Sequence, residues 1–371
     1  MREVATQDPK ALMHSIIQRV ATGPELSKSI SRQEARRGLH AVLDHQVDPV
    51  QAGIFLIALR MKRETDEEVI GIQQALMDVT ESVVAPVDEV LTLSDPFDGY
   101  NRTLPAAPFL PVVLAACGLP TVCTGMESIG PKYGITYRLV YRALGLDVDL
   151  TPAQAAARLG HEGWAYCDQA QYAPRLHALK DLRKLMVKRQ AITTAETQAM
   201  PVRGRARNHF MTGFVHKPYP RIYALLAREA GFDSALIVRG VEGGVIPSLR
   251  QDARMFVYRD RGEEVQWDFN AAQAGISQEV RAPLLPGHKE GAEVEEDRTA
   301  FDATAMARTA AEAGFAALRG EKSATYDALV MGTALVLWGL GKADSLAGGA
   351  DRARQALDSG AAKRRLAFER L

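Results

Sequence analysis

The stretch from Leu93 to Gly145 limits the possible folds more than any other part of the chain. It reads as an apolar strand, a loop Ser94-Asp-Pro-Phe-Asp-Gly-Tyr-Asn-Arg-Thr103, an apolar helix through Pro111-Val-Val-Leu-Ala-Ala-Cys117, a second strand Thr121-Val-Cys123, and a second loop Thr124-Gly-Met-Glu-Ser-Ile-Gly-Pro-Lys-Tyr-Gly134. Strand, helix and strand in that order predict a parallel crossover, with both loops at neighbouring carboxyl ends of one sheet. Open α/β sheets bind ligands at that edge, so a site is located before its chemistry is known.

The chain before this stretch is helical. From Pro9 to about Val84 apolar residues recur at spacings of three and four, as in Leu12, Ile16, Ile17 and Val20, or Ile54, Phe55, Ala58 and Leu59. Ser31 with Glu34 forms a capping box, Asp48-Pro49 starts another helix, and Thr65-Asp-Glu-Glu68 puts acids in the first turn of a third. After Gly145, Thr151-Pro-Ala-Gln154 starts a helix, Trp164–Cys167 is a short strand, and Tyr172 to about Gln190 returns to helical spacing. Phe210–Val215 and Ala235–Val238 read as strands separated by a helix from Pro220 to Ala230, and Gly240-Val-Glu-Gly-Gly244 reads as a turn. Arg254–Tyr258 and Val265–Asp268 alternate as antiparallel strands do. A polar, acidic connection from Leu284 to Asp297 leads into three closing helices, around Ala303–Leu318, Ser323–Trp338 and Leu346–Asp358.

The expected fold is α/β, a small helical domain packed on a larger α/β domain with a parallel-rich central sheet and C-terminal helices. Residues 1–84 plus about 172–200 make the helical domain, and 85–171 plus about 201–371 the α/β domain. Lysine plus arginine number 45 and aspartate plus glutamate 45, so overall charge selects no partner. Cys117, Cys123 and Cys167 show no metal-binding or redox spacing, the N-terminus lacks signal-peptide character, and the longest apolar runs fall short of the roughly 20 residues that cross a bilayer. A cytoplasmic protein with no membrane partner, no metal and no cofactor is expected.

Several segments together resemble the anthranilate phosphoribosyltransferase family (glycosyltransferase family 3), whose fold is shared with class II nucleoside phosphorylases. They are Leu26-Ser-Lys-Ser-Ile-Ser-Arg-Gln-Glu-Ala35, Phe55-Leu-Ile-Ala-Leu-Arg60, Ala115-Ala-Cys-Gly118, Ala143-Leu-Gly145, Leu236-Ile-Val-Arg-Gly240, Gly341-Lys-Ala-Asp-Ser-Leu346 and Ala356-Leu-Asp-Ser-Gly360. The resemblance implies three motifs, and the chain departs from each. A Gly-Thr-Gly-Gly-Asp loop that cradles pyrophosphate falls on Asp95-Pro-Phe-Asp-Gly99, where Pro96 has no N–H and two acids repel phosphate. A cationic Lys-His-Gly-Asn-Arg motif falls on Cys123-Thr-Gly-Met-Glu127, and a magnesium-binding Asp-Glu pair falls on Val245-Ile246, which cannot ligate a hard cation. Ordinary anthranilate transfer is therefore not expected. The remaining pattern resembles the divergent YbiB-type branch, for which nucleic-acid binding has been the proposed role.

Two constellations carry the functional expectations, and no catalytic residue is assigned. The first is a basic segment, with Arg183, Lys184, Lys188, Arg189, Arg203, Arg205 and Arg207 as candidate anion or nucleic-acid contacts. Lys180, Lys184 and Lys188 are spaced for one side of a helix, and the resemblance places Arg183 toward the cleft. A solvated surface is an equal alternative for such a charge run. The second is the pair of cleft loops, with Asp98, Gly99, Asn101, Arg102, Thr103, Thr124, Gly125, Glu127 and Lys132. Lys132 and Arg102 are expected to pair with an anion, or Asp98 or Glu127 to steer an acceptor; the alternative is that these residues only cap turns. The expected function is an atypical family member that binds nucleic acid or another phosphate-bearing ligand through the basic segment. The competing expectation is a glycosyl or phosphoribosyl transferase with an altered donor site. A homodimer through the helical domain is expected from the resemblance.

Overall fold

The computed structural model describes residues 8–23, 25–288 and 301–366. The acidic run Glu290–Asp297 lies outside the described residues. Four helices open the chain: α1 (Pro9–Val20), α2 (Arg32–Leu43), α3 (Pro49–Lys62) and α4 (Asp66–Asp78). Their starts follow from local chemistry. Ser31 with Glu34 and Thr65 with Glu68 form complete capping boxes, while Asp8 and Asp48 accept N–H groups of the first turn ahead of a proline. Such caps contribute about 1 kcal/mol each. Glu68 does more than cap. Its fully buried carboxylate also accepts the Ile30 N–H at 2.9 Å and the Lys62 ammonium at 2.6 Å, tying together the entry to α2, the end of α3 and the start of α4. At Gly71 a β-carbon would lie 2.3 Å from the Arg32 carbonyl oxygen, so only glycine permits the close crossing of α4 on α2.

Among the described residues nine strands follow: β1 (Val83–Val84), β2 (Glu89–Ser94), β3 (Thr121–Gly125), β4 (Trp164–Asp168), β5 (Val202–Arg203), β6 (Arg207–Phe214), β7 (Ser234–Arg239), β8 (Ala253–Tyr258) and β9 (Val265–Phe269). Seven of them form one sheet in the order β4-β3-β2-β6-β7-β8-β9, parallel from β4 to β7 and antiparallel beyond. Leu93 stands beside Cys123 on one side and Met211 on the other. Strands covered on both faces read as continuous apolar runs. One face, carrying Leu91, Leu93, Met211 and Leu236, packs with Phe109, Leu110 and the C-terminal helices Ala303–Leu318, Ala324–Gly339 and Leu346–Asp358. The other face, with Val90, Val122 and Ala165, shares one apolar cluster with α1 to α4.

The segment after β4 returns to the helices at the N-terminus. Its pieces Lys180–Met186 and Ile192–Ala195 pack on α3 and α4 respectively. The three passages of chain between the two regions are tied to one another. Glu81 N–H donates to the Tyr172 carbonyl at 2.7 Å, Ser82 Oγ to Met200 at 2.6 Å, Val83 N–H to Pro201 at 2.9 Å and Ala85 N–H to Arg203 at 2.7 Å.

The expected continuous helical spacing from Tyr172 to Gln190 is corrected by the structure. The segment divides into short helices, and Val187 turns out of the last of them at φ +62°. The Arg183 guanidinium holds that turn by donating to Gln190 Oε1 at 3.0 Å. Lys188 therefore leaves the row that Lys180 and Lys184 occupy. Among the described residues no helix is long and apolar enough to cross a membrane.

Candidate functional site

The two loops at the ends of β2 and β3 are held shut by the protein's own charges. Glu242, in the turn after β7, sends its carboxylate to the loop after β2. There it accepts the Asn101 N–H at 3.2 Å, the Arg102 N–H at 3.0 Å and the Thr103 hydroxyl at 2.8 Å. The same residue sits at φ +55°, in the left-handed region that side chains other than glycine rarely adopt. Lys132 donates to the Gly99 carbonyl at 2.8 Å and the Glu242 carbonyl at 3.1 Å, with the carboxylates of Asp98 and Glu242 at 3.8 and 3.7 Å. Its ammonium is thus consumed internally, against the expectation that it meets a ligand anion. Gly99 has no room for a side chain, because a β-carbon would sit 2.6 Å from the Ile135 carbonyl oxygen.

The interior of the loops is largely apolar, with one buried carboxyl. Phe97 packs with Met126 and Ile129 in a small buried cluster. Asp95 accepts the Tyr100 hydroxyl at 2.7 Å and the Val245 N–H at 2.9 Å, and burial pushes its carboxyl up to about 6. Thr124 bonds the Ser94 hydroxyl, and Gly125 ends β3 beneath Tyr166. Glu127 turns away to Arg142 at 2.8 Å and Arg138 at 3.7 Å, and the Arg142 hydrogen bond holds its carboxyl below the usual range. Of the cleft-loop candidates, Arg102 is exposed.

A cavity of about 110 Å³ lies beside these loops, between the helical part and the carboxyl ends of β2 and β6. Five rings line it: Phe97, Phe214, His216, Tyr219 and Tyr223. Polar groups reach it from both sides, Arg60 from α3, Arg189 and Thr194 from the returning segment, and Asp98 from the loop after β2. Asp98 is 4 % exposed; Arg189 donates to its Oδ2 at 2.5 Å, while its Oδ1 has no hydrogen-bond partner. Glu196 lines the wall with both oxygens occupied, by the Arg183 guanidinium at 2.6 and 2.7 Å and by Gln169 at 2.9 Å.

The basic segment does not form one patch. Arg183 is buried against Glu196, and its guanidinium supports the cavity wall rather than facing a ligand. Arg189 reaches the cavity, and Lys184 and Lys188 are exposed on the helical side. Arg203, Arg205 and Arg207 are exposed too, but at the opposite end of the sheet. Arg207 opens β6 and Phe214 closes it at the cavity; seven steps of about 3.3 Å put roughly 23 Å between them. Arg207 has Asp260 at 3.5 Å. Proximity in sequence becomes separation in space because the chain leaves the cavity between Thr197 and Val202, reaches the far end of the sheet at Arg203, and only then returns along β6.

Sequence reasoning missed Glu242, Arg60 and Tyr223 as site residues. Glu242 carried a signal, a single charge inside the Gly-rich turn Gly240–Gly244 directly after a buried strand. Arg60 and Tyr223 carried none, since each is one polar group on an otherwise amphipathic helix. Among the described residues no group of three or more His, Cys, Asp or Glu is placed to hold a metal ion.

Comparison with known proteins agrees with this architecture. The family described as glycosyl transferase family, helical bundle domain, matches residues 14–80, and the glycosyl transferase family a/b domain matches residues 98–363. An anthranilate phosphoribosyltransferase of Rhodospirillum rubrum is 30% identical over 95% of this chain and 93% of its own length. One from Sphingopyxis alaskensis is 26% identical over 91% of this chain and 95% of its own. Among solved structures, anthranilate phosphoribosyltransferase from Saccharomyces cerevisiae in complex with PRPP and Mg superposes with a TM-score of 0.73 at 16% identity, covering 96% of each chain.

Proposed function

Because this chain belongs to the glycosyl transferase family that pairs a helical bundle with an a/b domain and includes the anthranilate phosphoribosyltransferases, we propose that it is an atypical member, akin to the YbiB-type branch, that has kept the cleft and lost its pyrophosphate chemistry. Its ligand is a small molecule held in the cavity between the helical and α/β parts. Any group transfer there uses a donor other than magnesium phosphoribosyl pyrophosphate. The observation that carries this reading is Glu242, a carboxylate seated on the N–H groups of Asn101 and Arg102 and on the Thr103 hydroxyl, donors of the kind an incoming phosphate would need. Magnesium does not fit either. Val245 and Ile246, where the resemblance puts the acids, offer no side-chain oxygen, and the Val245 N–H is committed to Asp95.

The test is a thermal-shift titration with phosphoribosyl pyrophosphate, with and without Mg²⁺, beside nucleosides and inorganic phosphate. A ligand of the native state raises the melting temperature by an amount set by its concentration over its dissociation constant. No magnesium-dependent shift with phosphoribosyl pyrophosphate is expected, and a saturable one would overturn the reading.

Nucleic-acid binding stays as a second reading, supported by the exposure of Arg203, Arg205 and Arg207 on one end of the sheet. Affinity for DNA that falls steeply with salt and is lost in the triple alanine variant supports it. A homodimer belongs to the same proposal. Val50, Ile54 and Met61 follow one face of α3 at spacings of four and seven and are 69, 37 and 75 % exposed. Ile54→Glu is expected to give a monomer by light scattering where the parent chain is a dimer.

A further inference from the structure

A second hollow lies on the sheet surface, a groove of about 470 Å³ at the carboxyl end of β7. Its lining is charged rather than aromatic. Arg239 closes β7 and Arg254 is the second residue of β8, each one residue beyond the Val238–Met255 pair, so the two side chains leave the same face of the sheet as neighbours. Like charges opposite one another on adjacent strands are destabilising unless a counter-charge answers them. Arg254 is answered by Asp268, its register partner on β9, at 3.5 Å. Arg239 is exposed and has no hydrogen bond or ion pair among the described residues. Two carboxylates share the groove. Asp268 is engaged by Arg254 and by Gln266, whose Nε2 donates to it at 2.9 Å. Asp252 accepts only Asn270 Nδ2 among the described residues, at a long 3.4 Å, which leaves most of its acceptor capacity open. The groove therefore presents one unanswered cation and one nearly unanswered anion. A simple anion on Arg239 would lie beside two carboxylates, and a simple cation would meet two guanidinium groups. A small ligand carrying both signs meets neither repulsion.

We propose that this groove binds a free α-amino acid or a comparable small zwitterion, its carboxylate on Arg239 and Arg254 and its ammonium on Asp252. The guanidinium fork matches a carboxylate with two parallel N–H groups. The site is additional to the cavity ligand. Phe214, the register neighbour of Arg239 on β6, lines the cavity, whereas Arg239 lines the groove alone.

The test adds the common L-amino acids singly to the full chain and follows the Arg239 and Arg254 Nε–H and the Asn270 and Gln273 side-chain amide signals by NMR, with calorimetry for affinity. At least one amino acid binds saturably and moves these signals. Its N-acetyl derivative, which has lost the ammonium, and its amide, which has lost the carboxylate, each bind at least about tenfold more weakly. Arg239→Ala abolishes binding, and Asp252→Asn weakens the amino acid but not its N-acetyl form. Both residues are exposed, and the derivative series tests the assignment without any variant. Acetate or inorganic phosphate binding here as tightly as the amino acid, or derivatives binding as tightly as their parent, overturns the zwitterion assignment. If no amino acid moves these signals, or if binding survives Arg239→Ala, the groove is not the site.

Discussion

The loops after β2 and β3 and the cavity beside them share the residues Pro96 to Asp98, yet they treat polarity in opposite ways. In the loops the donors of Asn101, Arg102 and Thr103 are matched from inside by Glu242, and those of Tyr100 and the Val245 N–H by Asp95. The cavity is walled instead by the rings of Phe97, Phe214, Tyr219 and Tyr223, with Arg60 and Arg189 reaching it from the helical side. Donors that are already matched have little left to gain from a phosphate, whereas an aromatic cavity gains by burying apolar surface on a ligand. Within one cleft, the part that resembles a phosphate cradle is therefore the inert part, and the aromatic box next to it is the receptive one.

The contrast can be broken most forcefully at the cavity wall. Arg183→Ala leaves Glu196 as an uncompensated buried charge and is expected to cost about 3–5 kcal/mol in urea unfolding. A loss below about 1 kcal/mol would mean that the wall is not held by this pair. The next effect is pH dependence. Asp95 is raised by burial from 3.8 to about 6, so the fold prefers its protonated form. Its contribution is fully present below about pH 4 and declines by on the order of 3 kcal/mol as pH rises through 6; Asp95→Asn should flatten that slope. Glu89, at the other end of β2, has the opposite sign. His209, then Lys342, hold it down at about 2, so its contribution is present above pH 4.5 and is lost as pH falls toward 2. Urea midpoints of Asp95→Asn and Glu89→Gln against pH separate the two.

Glu242→Ala should destabilise by about 2 kcal/mol and, more tellingly, create a phosphate site absent from the parent chain, read by titration with inorganic phosphate. If the variant stays indifferent to phosphate, the loops are inert for a reason other than their own carboxylate. The smallest effects belong to Arg203→Ala, Arg205→Ala and Arg207→Ala. Each should change stability by no more than about 0.5 kcal/mol and leave ligand binding in the cavity unaltered, because these residues are exposed at the far end of the sheet.

Much of the frame was legible before any coordinates. The capping box at Ser31, the acid-rich helix start at Thr65, the parallel strands beginning with β2 and β3, and the helix Ala303–Leu318 all follow from short-range rules. The site was legible only in outline. Asp95-Pro-Phe-Asp98 declared that a phosphate loop had changed, but the partner that fills its place, Glu242, comes from a turn more than a hundred residues away. The run from Arg183 to Arg207 misled for the same reason. Charge counted along a sequence says nothing about a connection, residues 190–202, that carries one end to the far side of a sheet, nor that Arg183 has a buried acid waiting at Glu196.

The tied passages between the two regions also bear on how the molecule moves and folds. Glu81 to Tyr172, Val83 to Pro201 and Ala85 to Arg203 gather all three covalent crossings into one stitched seam. That seam borders an apolar core in which α1 to α4 pack with Val90, Val122 and Ala165, so any opening of the cleft is a rotation hinged at the seam and limited by that core. The seam also imposes an order on assembly. β6 cannot take its place beside β2 until the chain has laid down β3 and β4, passed through the helical body and returned, a loop of more than a hundred residues whose closure entropy must be met first. A protease cut within Val187–Gln190 should therefore leave the two halves associated in the native state, but unable to refold together once separated.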